Sequence, residues 1–498
     1  MLEYGDFQTP LPLARMCVEA IGGTWSRILE PTCGLGSFLQ ASIEKHDADV
    51  VGFEIQPDYI KQSLKTGARV FEQDIFTADL VKDPGWSNDG PLLVIGNPPW
   101  VTNADLGRMG SLNRPERMNF KNLSGMDAMT GASNFDIAEF IYLKLIADLQ
   151  SQRPTISLLC KTQVARNVLS YAAQAELPIV SASLRLINAK KWFDVSTNAC
   201  LFTVEVGPGT SYKAEVFQSI TDFKPSHRIG VVDGKLVADV DDYLRHKAID
   251  GKSPIEWRQG LKHDAAAVME LVEDSGPHTR DGVAVDIEAE YLFPFIKCTD
   301  LHHGRVSSVA KWVVVPQRRL GDDTNELATK APKLWKYLND NGAALDARKS
   351  SIYNNRARFS VFGIGDYTFS PYKVAVSGLH KKPAFRIVSP LVGMPTVLDD
   401  TSYFLACDTP EDAALIYAMV TTKMATDLIT GIMFPDAKRP ITKKLLQRID
   451  VGAIRDLVDH DELVDAAVEG AKEWGLRVSR DAVSERLPQL FTLAGGLF

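Results

Sequence analysis

Paired and clustered cysteines are missing from this chain of 498 residues. The six cysteines stand far apart, at 17, 33, 160, 200, 298 and 407, with no CxxC pair. That spacing argues against a disulfide framework and a structural zinc site, and it fits a reducing cytoplasm. No run of 18 or more apolar residues is present, so no membrane span is expected. The start, Met1-Leu2-Glu3-Tyr4-Gly5-Asp6, has no basic stretch leading into an apolar one and does not read as a signal peptide. No repeat, low-complexity tract or metal-ligand cluster is evident; His302-His303 stands as a lone basic pair. The net charge of -8 by itself gives no hint of a nucleic-acid partner.

What is there is an ordinary globular composition, 45% hydrophobic and 24% charged, over a length that implies two or three domains. The charge is uneven. Tyr291 to Asp400 holds 16 Lys/Arg against 9 Asp/Glu in an otherwise acidic chain. Taken by itself, a solvated basic face is a plainer reading of this segment than a phosphate-binding one.

Short apolar runs alternate with helical stretches up to about Val206. The runs are Arg27–Leu29, Asp49–Phe53, Ala68–Phe71, Leu92–Ile95, Thr155–Cys160, Ile179–Leu186 and Ala199–Val206. Helices are expected over Ser37–Lys45, Phe135–Gln150 and Thr162–Ala175. This pattern predicts an α/β domain with a mostly parallel seven-stranded sheet covered on both faces, closed by an antiparallel hairpin of the last two strands. The Gly207-Pro208-Gly209 breaker sets a boundary, giving domains 1–206 and 207–498. The second mixes short strands (Trp312–Val315, Val374–Val376) with helices (Pro410–Ile432, Asp459–Lys472), an α+β pattern. Lys252–Gly282 is polar and reads as an exposed insertion. Val101–Asn134, polar and glycine-bearing without periodicity, has the length of a functional lid or a disordered loop.

Four strand ends carry chemistry. Ile28-Leu29-Glu30-Pro31-Thr32-Cys33-Gly34-Leu35-Gly36-Ser37 is a strand, a glycine turn and a helix start, where backbone can approach a ligand. Glu30 disfavours a phosphate there and suits a cation, such as a methionine moiety with its ammonium and sulfonium. A tight turn without any ligand is the plainer reading. Glu54 ends an apolar strand about 20 residues on, where a carboxylate can accept ribose hydroxyls, with Ile55 beside it; the alternative is a surface Glu. Asp74, followed by Ile75, could accept from an adenine amino group or could simply cap a helix.

The sharpest motif is Ile95-Gly96-Asn97-Pro98-Pro99-Trp100. Two prolines fix the backbone and remove donors, which presents Asn97 and the Pro98 carbonyl as acceptors for a planar amine. Trp100 offers a face for a stacked base; its alternative is a core position.

These residues resemble the amino-methyltransferases with an Asn-Pro-Pro-aromatic motif, and more narrowly the gamma-class adenine-N6 DNA methyltransferases of restriction–modification systems. The order of motifs agrees: cofactor motifs, catalytic motif, then a C-terminal recognition domain. Gly5-Asp6-Phe7-Gln8-Thr9-Pro10 is similar to the family's N-terminal motif, which implies that Thr9 and Pro10 lie by the methionine end of the cofactor. Asn134-Phe135-Asp136 is similar to its helix start near the cofactor adenine, and Lys190-Lys191-Trp192-Phe193-Asp194 to the motif whose aromatic stacks on the flipped base. Phe193 takes that role, with Trp192 the alternative. Ala331–Leu338 and Phe362–Gly378 look like stretches of the family's recognition domains. Two departures are the motif's Trp in place of Tyr or Phe, and Cys33 in the glycine turn.

The resemblance implies a class I methyltransferase fold and a domain over 1–206 that binds S-adenosyl-L-methionine through Thr9, Pro10, Glu30, Pro31, Cys33, Gly34, Gly36, Glu54, Ile55, Asp74, Ile75, Asn97, Pro99 and Phe135. Asn97, Pro98, Pro99 and Trp100 would form the catalytic set, and Trp100 and Phe193 would sandwich a flipped adenine. A target-recognition domain over 207–498 would contact double-stranded DNA through cations such as Arg318, Arg319, Arg356, Arg358 and Lys381. No metal is called for. A monomer working in the cytoplasm beside a separately encoded restriction endonuclease is the expected setting. Methylation of RNA or of protein glutamine, and a catalytically silent DNA-binding subunit, are the competing readings.

Overall fold

A computed structural model describes residues 7–101 and 136–491. Phe135 and nearly all of the expected lid, Val101–Asn134, lie outside the described residues. The chain divides into two compact units, Met1–Asp241 and Asp242–Phe498.

All seven expected strands of the first unit form: β1 (Arg27–Glu30), β2 (Asp49–Glu54), β3 (Arg69–Glu72), β4 (Leu92–Gly96), β5 (Thr155–Lys161), β6 (Ile179–Asn188) and β7 (Asn198–Val206). The helices α1 (Leu11–Ile21), α2 (Ser37–Lys45), α3 (Pro57–Ser63), α4 (Ile137–Leu149) and α5 (Thr162–Gln174) lie between or before them. A short helix α6 (Ala189–Phe193) joins β6 to β7. The central strands are mostly apolar and buried along nearly their whole length, as a sheet covered on both faces requires.

The sheet is larger than seven strands. β8 (Lys213–Phe217), β9 (His227–Val232) and β10 (Lys235–Val237) extend it, and among the described residues the order is β10-β9-β8-β6-β7-β5-β4-β1-β2-β3. β7 runs antiparallel between β5 and β6, the expected hairpin, while β8 pairs parallel with β6. The break at Gly207-Pro208-Gly209 is therefore a turn within the first unit. Ser211 N–H bonds the Ile179 carbonyl, and the chain re-enters the sheet instead of leaving it. The boundary sits 35 residues later than the breaker suggested, because a proline-glycine turn marks a change of direction and not a change of core.

β1 has β4 on one side and β2 on the other, all parallel. The chain's progression reverses at this point, and a crevice opens beyond the C-terminal strand ends. Glu30 and Asn97 flank it.

In the second unit β11 (Arg258–Gln259), β19 (Ser402–Cys407), β16 (Tyr372–Ser377) and β17 (Arg386–Val388) form one sheet. β13 (Pro277–His278), β12 (Glu270–Glu273), β15 (Lys311–Val314), β14 (Leu292–Ile296) and β18 (Val397–Leu398) form another. Helix α7 (Pro332–Asp340) buries Leu334 and Leu338 in a core with Val313, Phe295 and Phe359. The apolar stretch Pro410–Ile432 is two helices, α8 (Pro410–Thr421) and α9 (Lys423–Ile432), because Thr422 is extended and caps the second. The segment Lys252–Gly282 is no exposed insertion. It supplies three strands and the buried Trp257, Leu261, Val268, Met269 and Leu271; the run Ala265–Val272, broken only by Glu270, held the core signal between polar flanks.

Asp49 locks the outer edge of the first sheet. Its carboxylate takes a two-pronged contact from Arg69 on β3 and two bonds from Ser87, N–H and hydroxyl. Burial alone pushes this carboxyl up, but the Ser87 and Arg69 donors together hold it below the ordinary value. Asp49→Ala is expected to cost about 2 kcal/mol at neutral pH, read by urea unfolding. Since the folded-state value is depressed, the contribution is present above the ordinary carboxylate value and is lost as pH falls through the folded one. The wild-type and variant curves should converge in acid.

Candidate active site at the strand ends

The cleft at the crossover is lined by Thr9, Glu30, Pro31, Cys33, Gly34, Glu54, Ile55, Asp74, Ile75, Asn97 and Pro99, all expected from the sequence. Its space is about 960 Å³ including the open mouth. The sequence did not single out Phe7, Gln8, Tyr59 or Phe76, which also line it. Phe7 and Gln8 directly precede the Thr9-Pro10 pair, so that motif held the signal. Phe76 likewise directly follows Asp74-Ile75, whereas nothing local marks Tyr59. Pro10 and Gly36 stand just behind the wall, each at the cap of a helix, α1 and α2.

The turn after β1 depends on two glycines. Gly34 and Gly36 have φ of 50° and 88°, where side chains are disfavoured. A Cβ on Gly34 would lie 2.6 Å from the Gln8 amide oxygen, and one on Gly36 3.0 Å from Ser63. Gln8 Oε1 accepts the Leu35 N–H at 2.9 Å, so the N-terminal motif closes over the turn.

Glu54 holds the floor together. One oxygen accepts Gly34 N–H at 2.8 Å; the other accepts Ile55 and Gln56 N–H at 2.8 and 2.9 Å. A carboxylate has about four acceptor positions. Three are used, which leaves room for one further donor on Oε2 and not for the pair of hydroxyls expected. Asp74 accepts Phe76 N–H at 2.9 Å, and Ile75 packs beside it, buried.

Glu30 is 3% exposed, with a bond from Leu39 N–H at 3.1 Å. Burial pushes its carboxyl well above the ordinary range, the Leu39 bond offsets part of this, and the nearby Glu54 charge adds to it. A buried carboxylate without a cation is a site whose electrostatics favour a bound positive charge. Burial also pushes the Cys33 thiol up, so it stays an unreactive wall.

Asn97 is fixed by its own amide: Nδ2 donates to the Phe7 carbonyl at 2.8 Å. Its Oδ1 is buried and has no hydrogen-bond partner among the described residues. Pro99 lines the cleft beside it, and Pro98 is buried. Trp100 departs from the expectation of an open stacking face. It is 5% exposed, and its Nε1 donates to the Leu159 carbonyl at 3.2 Å, anchoring the motif to β5. Phe193 meets it edge-on, with ring centroids 5.2 Å apart and planes at 69°. Phe7 packs against both, at 5.7 and 5.9 Å. A base sandwiched between two rings needs about 7 Å between them, twice a stacking contact. The Trp100–Phe193 sandwich is thus closed here, because the two rings satisfy each other.

In the second unit the five expected DNA-contacting cations separate into two groups. Arg319 and Arg358 make two-pronged ion pairs with Asp366 and Asp346. Arg318 lies over the rings of Phe293 and Phe369 and donates to the Glu290 carbonyl. Arg356 and Lys381 are exposed, with no ion pair among the described residues. His302 is no lone pair with His303; it stacks on His380, centroids 3.7 Å apart and planes at 4°.

No family model matches the sequence. The chain is 36% identical over 472 residues to the type II methyltransferase M.NspV of Nostoc sp., covering 92% of this chain and 98% of that protein. Its structure is similar to that of the type IIL restriction–modification enzyme MmeI in complex with DNA. The TM-score is 0.51 at 11% identity, covering 100% of this chain and 76% of that one. That likeness concerns the fold, and the α/β sheet with its crossover crevice is of the class I methyltransferase type.

Glu30→Gln is expected to separate stability from binding. Below the ordinary carboxylate value both folded and unfolded states are protonated and Glu30 costs nothing. Between that value and the raised one only the unfolded state releases the proton, so wild-type stability falls as pH rises. The variant should therefore unfold at a higher temperature than wild type at pH 7, with the gap closing in acid. Calorimetry with a methionine-bearing sulfonium cofactor should meanwhile show binding weaker by about 10–100-fold.

Proposed function

The chain belongs to the type II methyltransferase family, and from that premise we propose that it methylates the exocyclic amino nitrogen of adenine in double-stranded DNA, using S-adenosyl-L-methionine. The observation that carries the reading is the Asn97 amide. Its nitrogen is tied to the Phe7 carbonyl, and its buried oxygen has no hydrogen-bond partner among the described residues. An acceptor held this way, desolvated and pre-aimed, suits a substrate that brings an N–H.

The cleft residues fit the cofactor. Glu30 suits the ammonium and sulfonium end, the free position on Glu54 a ribose hydroxyl, and Asp74 with Ile75 the adenine. When bound, the cofactor supplies the methyl group from its sulfonium. The remaining work falls to the protein. Asn97 Oδ1 accepts one hydrogen of the amine and turns its lone pair toward the cleft. Pro98 and Pro99 keep the backbone from shifting, and Trp100, tied to Leu159, keeps the motif on the sheet. As the nitrogen leaves planarity it gains positive charge, and the Asn97 dipole favours that charge more than the ground state. The amine gains a methyl group, leaving the sulfonium as a neutral thioether, and its extra proton passes to water. Asn97 orients that N–H and, being an amide, does not keep the proton.

Adenine in a duplex is stacked and paired, so it must be extruded to reach this cleft. A base seated on Trp100 would replace the Phe193 edge contact. In the second unit, Arg356 and Lys381 are better placed to meet phosphate than the three arginines held by internal partners. The domain roles follow: a catalytic first unit and a DNA-recognising second. A separately encoded endonuclease and a monomeric state belong to the same reading.

The test is transfer of labelled methyl groups to unmethylated genomic DNA, with nucleoside analysis of the digest. N6-methyladenine is the expected product; label found only in RNA or protein overturns the substrate. Asn97→Ala should lower the rate by at least about 100-fold, as loss of one transition-state hydrogen-bonding group does. Cofactor affinity should change by less than about threefold, within roughly 0.6 kcal/mol.

A further inference from the structure

The extra strands of the first sheet carry a feature that neither cofactor nor catalytic motif uses. Phe223, in the turn between β8 and β9, is 98% exposed. The ring gains no apolar burial in this fold, so packing does not account for it. The turn around it is built. Arg185 Nη1 donates to the carbonyls of Ile220 and Asp222, at 3.1 and 2.6 Å, while its guanidinium lies over Phe217. Asp222 accepts both the N–H and the hydroxyl of Ser219, and Ser226 N–H returns to the Val216 carbonyl. The ring is therefore presented on a braced turn.

Its position is informative. β4, β5, β6 and β8 all point the same way, so the turn after β8 leaves the sheet at the same edge as Asn97. Ile220, three residues before Phe223, is buried in the same apolar cluster as Trp100, with Phe193 packed against it. The braced turn thus rises from the aromatic end of the candidate active site. Beside Phe223 at the tip are exposed Lys224 and Pro225, and the α6 lysines, Lys190 and Lys191, are exposed on the element that carries Phe193. Lys190 is paired with Asp194 and Lys191 lies over Trp192.

Resting on the DNA-methyltransferase reading above, we propose that Phe223 is a wedge that enters the base stack of duplex DNA beside the extruded adenine. An apolar side chain that fills stacking space vacated by a base lowers the cost of opening the duplex, and Phe and Pro are among the residues suited to it. Lys224 next to the ring matches the phosphates such an insertion would approach.

The test uses the full chain and a duplex oligonucleotide carrying the site mapped from the methylated product. Two versions are compared, one fully paired and one with the base opposite the target adenine removed. Phe223→Ala is expected to methylate the paired duplex at least 10-fold more slowly than wild type, and the gapped duplex at a rate within about threefold of it. Phe223→Trp should retain the paired-duplex rate. Thermal midpoint and cofactor affinity should be unchanged in both variants, since the ring packs on nothing. Equal rates for wild type and Phe223→Ala on paired DNA overturn the wedge and leave a protein-facing role for the ring. An equal loss on both duplexes overturns it too, as a plain contact. Wild type that methylates no DNA overturns the proposed function itself, and the wedge with it.

Discussion

The Glu54 carboxylate is the joint on which the cleft is assembled. By taking one N–H from the glycine turn after β1 and two from the segment after β2, it welds two neighbouring strand ends into one surface. The glycines follow from this. The turn must bring Gly34 N–H to a carboxylate on the next strand with Gln8 closing from the other side, and only residues without a Cβ fit. The location of Glu54 follows from parallel pairing, since β1 and β2 end at the same edge.

Against that rigid joint, Glu30 stands in a poorer environment. It has one backbone donor, deep burial and a second carboxylate nearby. Protein interiors do not keep such a charge for stability. The same imbalance recurs at Asn97, whose amide is half satisfied. The cleft therefore holds two unmet demands of opposite kind, a carboxylate short of a cation and an acceptor short of a donor. A methyl transfer from a sulfonium to an amine would meet both at once.

The aromatic residues follow another logic. Trp100, Phe193 and Phe7 satisfy one another edge to face, and the indole N–H is spent on the Leu159 carbonyl. A buried tryptophan of this kind positions the Asn-Pro-Pro backbone first, and offers a face to a base only at the expense of its neighbour's contact. In the second unit, Arg319 and Arg358 are engaged by carboxylates at the surface and Arg318 by two rings. Arg356 and Lys381 are exposed without an ion pair among the described residues.

The sequence alone determined the first seven strands, their helices and the residues at four strand ends. These rest on local properties: apolar runs, turn-forming glycines and prolines, and the spacing between them. It also located nearly every expected residue of the cleft, because in a parallel sheet the strand ends converge. The tertiary structure decided what depends on a distant partner. It added β8 to β10 beyond a turn that looked like a boundary, buried Trp100 against Leu159, and paired Arg319 and Arg358 with acids. Each of these is a contact between residues far apart in the chain. No local pattern encodes which polar group finds a partner and which one is left waiting for a ligand.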